Sequence, residues 1–219
     1  MAPKPPIPPD RPRAPRFKGK KKATRKKESI TLRELSKQLP NNEDFEAIMD
    51  EIACASDRSA AIVLASVVDR YLESAIIDSF VRNDRKTKEN LTATGGSLDG
   101  FFSKIHLGYA MGLYNQQKCN ELEAVRRIRN SFAHSAKNIT FETPQISVEC
   151  SIFRPLRRLG SNASNREKYI SACERIAMFL IGIMFLRRAN KLIEKGLVLD
   201  DELKSTISNL ESHYDILSA

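Results

Sequence analysis

The sequence predicts an all-α fold, a bundle of five to seven helices that follows a disordered, basic and proline-rich N-terminal tail. Apolar residues recur every three or four positions over most of residues 30–219. Helix-capping residues stand before several of these apolar segments. The charge is also divided: of 36 Lys/Arg and 27 Asp/Glu, residues 1–29 hold eleven and two, which leaves 25 of each elsewhere. The whole net charge of +9 therefore lies in the tail, and the single helical domain at 30–219 is neutral.

The tail at residues 1–29 is predicted to be disordered because its composition opposes helix formation. Seven of the ten prolines fall within residues 1–16, and proline blocks helix and removes backbone donors. Basic residues follow that are candidates for nucleic-acid contacts: Arg16, Lys18, Lys20, Lys21, Lys22, Arg25, Lys26 and Lys27. A phosphate-binding arm and a solvated, solubilising extension are both compatible with this pattern.

The first helices of the domain are predicted from caps and apolar periodicity. A short helix over 30–39 ends at Pro40, and Asn41 or Asn42 can cap the next one. A long helix follows over residues 57–82. Its apolar stripe consists of Ile62, Leu64, Ala65, Val68, Leu72, Ala75, Ile76 and Phe80. The polar run 83–96 ends in two glycines and is predicted to be a loop.

The second half of the domain is predicted in the same way. Ser97 caps a helix whose buried side consists of Leu98, Phe101, Phe102, Ile105, Leu107 and Tyr109. Asn115 caps the following helix, whose core face consists of Leu122, Val125, Ile128 and Phe132. Residues 139–152 are predicted to be a short extended pair or a loop. A capping box at Ser164 begins a helix of about thirty residues that Gly196 can end, and Asp200 opens the last helix.

Cysteine spacing and hydropathy predict neither a metal-binding protein nor a membrane-spanning one. The four cysteines are Cys54, Cys119, Cys150 and Cys173. They form no Cys-x-x-Cys pair and no cluster with histidine, so neither zinc nor another metal or cofactor is expected. Free buried thiols point to a reducing, cytoplasmic compartment. The apolar run 176–186 is too short to span a bilayer and is predicted to be a buried core helix, so no membrane contact is expected.

The densest group of polar side chains lies at the end of the helix that Asn115 caps. Arg129, Asn130 and His134 fall within six residues. On a regular helix Arg129 and His134 are about 140° apart, so they share a face only if the helix ends near Ala133. With that break, His134 can transfer a proton near neutral pH, Arg129 can stabilise phosphate charge and Asn130 can orient the phosphate. These three candidate catalytic residues suffice for metal-independent RNA cleavage.

A structural role for the same residues is the alternative. Arg129 could pair with Asp69 or Glu73 of the long helix, which are also the candidate supporting acids if the site is catalytic. Asn130 and His134 could satisfy the free carbonyl groups of a helix end. The residues alone leave both interpretations open, because structural ion pairs also bring such groups together.

The segment from Arg129 to His134, with the sequence RNSFAH, resembles the Arg, four to six residues, His signature of the HEPN superfamily. Residues 61–84 and 98–135 resemble bacterial mannitol operon repressors. The second resemblance implies an all-helical cytoplasmic regulator. The first implies a homodimer that brings two Arg/His pairs together, with ribonuclease activity in many members.

Two functions are therefore expected from the sequence. The first is a regulator that acts through protein contacts or tail-assisted nucleic-acid binding. The second is a metal-independent endoribonuclease of a toxin–antitoxin or defence system, in which Arg129 and His134 carry the reaction. The expected partners are a second copy of the chain, RNA or DNA, and a regulated protein or antitoxin.

Overall fold

The computed structural model describes residues 35, 38–82, 84–154, 162–196 and 200–218, and these ranges contain helices joined by turns, without a strand. The all-α prediction is therefore confirmed. The tail at 1–29, with its candidate phosphate contacts, lies outside the described residues. Most of the predicted helix at 30–39 also lies outside them.

Eight helices occur in the described part of the chain, which is one more than the upper end of the predicted range. In chain order they are α1 Asn42–Cys54, α2 Asp57–Ser79, α3 Arg85–Thr92, α4 Phe101–Ala110, α5 Gln116–His134, α6 Pro144–Cys150, α7 Asn165–Glu194 and α8 Asp201–Ser218. The two short helices α3 and α6 were not predicted from the sequence.

Side-chain caps fix the starts of the long helices where the sequence predicted them. The Asn41 side chain accepts from the amide of Asp44, which completes a capping box before α1. Asn115 caps α5, and Ser164 forms the predicted capping box with Glu167 before α7. Each cap satisfies a backbone amide that the first helical turn leaves without a partner.

The prediction of a loop over 83–96 is wrong, because α3 lies within it. Asp84 caps this helix through the amide of Thr87, and Arg85 pairs with Glu89 one turn later at 2.7 Å. The predicted cap at Ser97 is also wrong. The chain turns after α3 so that the amide of Leu98 donates to the carbonyl of Leu91, and α4 begins only at Phe101.

Of the six residues predicted on the buried side of this segment, Leu98 and Ile105 are buried and Phe101 and Leu107 pack against the core, but the other two are exposed. The buried residues are Lys104, Ile105 and Gly108, whereas Phe102 and Tyr109 are 54% and 41% exposed. Gly108 is required because a Cβ there would lie 2.6 Å from the hydroxyl oxygen of Tyr114. The prediction that Phe102 and Tyr109 are buried is wrong, and Lys104 is buried instead.

Residues 139–152 form neither an extended pair nor a simple loop. Pro144 occupies the start of α6, where its missing amide hydrogen costs no helical hydrogen bond. Ile146 and Cys150 of this helix are buried. The short helix therefore packs on the bundle, where α6 contacts α5 and α7.

The core is formed mainly by α2 and α7, which pack against each other, with α4 and α5 against α2. Apolar side chains from these helices form one continuous cluster. The helix α7 is long and apolar enough to cross a membrane, but 67% of its most apolar window is buried inside the bundle. This burial agrees with the prediction that residues 176–186 belong to a buried core helix. At its end, Leu186 and Ala189 pack with Ile207 of α8.

Candidate functional site

The candidate site is held in place by the buried face of α5. Val125, Ile128 and Phe132 have no exposed surface. The ring of Phe132 lies 5.1 Å from that of Phe141, which in turn lies 5.1 Å from that of Tyr169. Buried aromatic pairs of this kind contribute about 0.5–1.5 kcal/mol beyond the area they bury. The polar residues between these anchors therefore occupy fixed positions on the helix.

Arg129 is half-buried and contacts its own neighbour on the helix. Its Nη1 donates to Asn130 Oδ1 at 2.9 Å. Within the described ranges, Arg129 forms no ion pair with a carboxylate. Its side-chain donors are therefore not all used by contacts with the described residues.

The charge of Arg129 acts on Tyr169, a fully buried residue of α7. The Tyr169 hydroxyl donates to the carbonyl oxygen of Ala61 at 2.8 Å. Burial raises the pKa of Tyr169 well above its ordinary value, and the thiols of Cys173 and Cys150 act in the same direction. Arg129 opposes them, because a nearby cation favours phenolate.

His134 is exposed and is the last residue of α5, with Ser135 as the C-cap. Its imidazole forms no hydrogen bond or ion pair with the described residues. Asn130 and Arg127 lie four and seven positions earlier, so these three residues share one face of the helix. Arg127 is held on that face by Glu149 of α6, with contacts of 3.0 and 2.8 Å.

Arg129 and His134 lie on different sides of α5. The helix continues through His134, so the five positions between them correspond to about 140° of rotation and about 7.5 Å of rise. The break that would align them would have to fall before His134. In one copy of the chain the two side chains therefore leave α5 on different sides.

The candidate supporting acids Asp69 and Glu73 contact a different basic residue. Lys104 Nζ lies 2.7 Å from Asp69 Oδ1 and 2.9 Å from Glu73 Oε2, and Lys104 is only 2% exposed. Neither acid forms an ion pair with Arg129 among the described contacts. Asp69 lies eight residues beyond Ala61, which is about 12 Å along α2. The two acids therefore stabilise the packing of α4 on α2, away from Arg129.

Arg58 is a residue of this region that the sequence analysis missed. Its Nη1 donates to the carbonyl oxygen of Ser135 and its Nη2 to that of Lys137, both at 3.0 Å. The guanidinium thus holds the chain directly after His134. A basic residue in the first turn of a helix is unfavourable beside the positive end of the helix dipole. That misplaced charge was the available signal that Arg58 has a partner elsewhere.

Asp57 and Arg166 complete this contact between the start of α2 and the segment after α5. Asp57 Oδ2 accepts from the amide of Phe141 at 3.0 Å, and Asp57 Oδ1 lies 2.6 Å from Arg166 Nη1. Arg166 also donates to the carbonyl oxygens of Ile52 and Ala55. Residues 135–141 are therefore attached to α2 at both ends.

Metal-binding clusters and cysteine thiols are the remaining candidates for chemistry. The described residues contain no group of three or more His, Cys, Asp or Glu that could hold a metal ion. Three of the four thiols are buried, but Cys54 is exposed, contrary to the expectation that all are buried. Burial raises the pKa of Cys150 to about 12, which disfavours its reactive thiolate.

The site therefore combines an exposed histidine, an arginine without a carboxylate partner among the described residues, and a guanidinium clamp behind them. The candidate nucleic-acid contacts of the tail, from Arg16 to Lys27, lie outside the described residues. Comparison of the chain with protein-family models, with curated proteins and with solved structures finds no match.

Proposed function

We propose that this chain is a regulator without catalytic activity, of the kind that its resemblance to mannitol operon repressors suggests. It acts through protein contacts, or through nucleic-acid contacts that its basic tail assists. The tail supplies the charge, and the neutral helical domain supplies a rigid surface.

The divergence of Arg129 and His134 on one regular helix carries this proposal. A catalytic pair must lie within hydrogen-bonding reach of the same reacting group. Here the two side chains leave α5 in directions about 140° apart, and Arg129 contacts Asn130 instead. Under this proposal Arg129 and Asn130 contact each other on α5, and His134 is not needed for the regulatory contacts.

Gene replacement in the source organism tests the regulator. Strains carrying the wild-type chain, His134→Ala or no chain are compared by transcript abundance and by mapping of RNA 5′ ends. A regulator without catalytic activity restores the wild-type transcript pattern with His134→Ala and creates no new 5′-hydroxyl ends. Loss of the pattern in His134→Ala at normal protein abundance, together with loss of specific 5′-hydroxyl ends, contradicts the proposal.

An endoribonuclease is the second candidate, and the same residues supply the observation that favours it. Arg129 has no carboxylate partner among the described residues, and His134 is exposed. Each can therefore act on an external group. Because one copy separates them, this candidate requires a homodimer in which Arg129 of one copy and His134 of the other approach one phosphate.

Purified protein incubated with mixed RNA in EDTA tests the second candidate directly. Attack by the 2′-hydroxyl leaves a 2′,3′-cyclic phosphate and a 5′-hydroxyl. His134→Ala should slow cleavage by roughly 10²–10⁴-fold, which is the usual contribution of general acid–base catalysis. Arg129→Lys should restore little, because an ammonium group does not reproduce the planar guanidinium. Full cleavage by His134→Ala contradicts a catalytic role of this histidine.

Mixing two inactive variants distinguishes a shared site from a site within one chain. Arg129→Ala and His134→Ala are mixed, partly unfolded together and refolded so that subunits exchange. A composite site regains activity in the mixed dimer, because one of its two sites keeps both residues. No recovery, with dimers present by light scattering, contradicts the shared site.

A further inference from the structure

A second feature lies on the opposite half of α2, where α2, α3 and α7 enclose an open cleft of about 500 Å³. Its polar lining includes Glu73, Asp78, Arg85, Lys88, Glu89 and Arg188. Ser74 and Ile77 add a hydroxyl group and an apolar wall. The cleft is open to solvent, and most of its lining side chains are charged.

Each carboxylate of the cleft is already paired with a basic group. Glu73 accepts from Lys104 at 2.9 Å, and its other oxygen lies 3.3 Å from Arg70 Nη1. In the same way Asp78 lies 2.6 Å from Arg188 Nε, and Glu89 lies 2.7 Å from Arg85 Nε. The acids therefore offer little free capacity to attract a cation.

Several donors of the cleft are in contrast unused. The ammonium group of Lys88 is half-buried and forms no ion pair with the described residues. The Ser74 hydroxyl makes no hydrogen bond within the described ranges. Arg188 uses Nε for Asp78 and is 59% exposed, so its terminal nitrogens remain available. Three donors from three helices thus face one space in which the neighbouring negative charges are neutralised.

We propose that this cleft binds a small organic anion through a carboxylate or phosphate monoester group. Lys88 supplies the uncompensated positive charge. Arg188 supplies two parallel donors, a geometry that matches the oxygens of either group. Ser74 donates the third hydrogen bond, and Ile77 contacts the carbon skeleton of the ligand.

This anion site is separate from the Arg129–His134 region. Ala61, which marks the Arg129 end of α2 through its bond with Tyr169, lies seventeen residues before Asp78. At 1.5 Å of rise per residue the two regions are about 25 Å apart. The proposal therefore holds for a regulator and for a ribonuclease alike, and its test is independent of both.

Residue-resolved NMR of the full chain tests the site. Each backbone amide gives its own signal, so anion binding at the cleft is distinguished from anion binding at the basic tail. Sodium phosphate, sodium succinate and, as a salt control, sodium chloride are titrated at equal ionic strength. Saturable shifts are expected at the amides of Lys88, Thr92 and Ser74. Phosphate and succinate distinguish the two ligand groups: the stronger binder identifies the group that the cleft selects.

Two lysines on the same short helix provide a matched pair of variants. Lys88→Ala should weaken binding at the cleft amides by about tenfold or more, as expected for loss of a hydrogen bond to a charged group. Lys86→Ala removes an exposed lysine that does not line the cleft, and should leave the binding unchanged. Ser74→Ala tests the third donor without altering charge.

The proposal is overturned by either of two results. One is the absence of saturable shifts at these amides with both anions while chloride gives the same trace. The other is an equal loss of affinity in Lys86→Ala and Lys88→Ala, which would mean that general surface charge attracts the anion. Spectra of both variants also report whether α3 remains folded.

Discussion

Replacing Arg58 with methionine should loosen the chain directly behind His134. The substitution keeps an unbranched side chain but removes two charge-assisted hydrogen bonds, to the carbonyl oxygens of Ser135 and Lys137. Hydrogen bonds to charged groups contribute about 1.5–3 kcal/mol each when buried. One of these bonds is part-buried and the other exposed, so their combined contribution is about 2–3 kcal/mol.

Part of this loss is offset, because methionine removes a positive charge from the first turn of α2. That relief is about 0.3–1 kcal/mol. The free energy of unfolding should therefore fall by about 1–3 kcal/mol, which lowers the Tm by roughly 2–10 °C for a domain of this size. Amide exchange over residues 135–141 should accelerate about tenfold, since 1.4 kcal/mol corresponds to a factor of ten.

Thermal unfolding and hydrogen exchange measured on the same samples check this calculation. Arg58→Lys keeps the charge but cannot span both carbonyl groups, so its effect should be intermediate. Arg85→Met removes an exposed surface pair and should leave the Tm nearly unchanged. An unaltered Tm together with unaltered exchange over 135–141 in Arg58→Met would refute the clamp.

Three further predictions concern other parts of the chain. Lys104→Met should lower the free energy of unfolding by about 3–5 kcal/mol at pH 7, because it leaves Asp69 without its cation and Glu73 with Arg70 alone. Burial already raises the pKa of Asp69, and the substitution raises it further, so the deficit in denaturant unfolding should shrink as the pH falls and Asp69 is protonated. A thiol reagent should modify only Cys54 of the four cysteines in the native protein and all four in guanidinium, as counted by absorbance. Deleting residues 1–29 should flatten the salt dependence of any nucleic-acid binding; an unchanged slope would assign that binding to the helical domain.

The helix α3 shows why the sequence analysis missed a regular element. Its residues are polar, so no apolar stripe marks it, and Gly95 and Gly96 directly after it suggested a loop. Its local signals were nevertheless present: Asp84 at the capping position and the pair Arg85–Glu89 four residues apart. Apolar periodicity detects helices that bury one face, whereas α3 has no fully buried residue.

Long-range polar contacts were not predictable in the same way. The capping box at Ser164 depends on residues three positions apart, and it was predicted correctly. The pair Arg166–Asp57 joins residues 109 positions apart. Lys104 was likewise indistinguishable from a solvated lysine until α2 placed two acids beside it. Such pairs depend on the tertiary arrangement, which one sequence does not specify residue by residue.

Helix α5 contains residues whose burial the sequence predicted and residues whose arrangement it did not. Spacing alone predicted that Val125, Ile128 and Phe132 are buried, and their burial then fixes the direction of every other side chain of α5. What spacing left open was the last helical residue, on which the alignment of Arg129 with His134 depended. Because the helix includes His134, the motif residue that shares its face is Asn130, and Arg129 points elsewhere. The spacing of the motif therefore did not predict which of its residues share one face of α5, because that depended on where the helix ends.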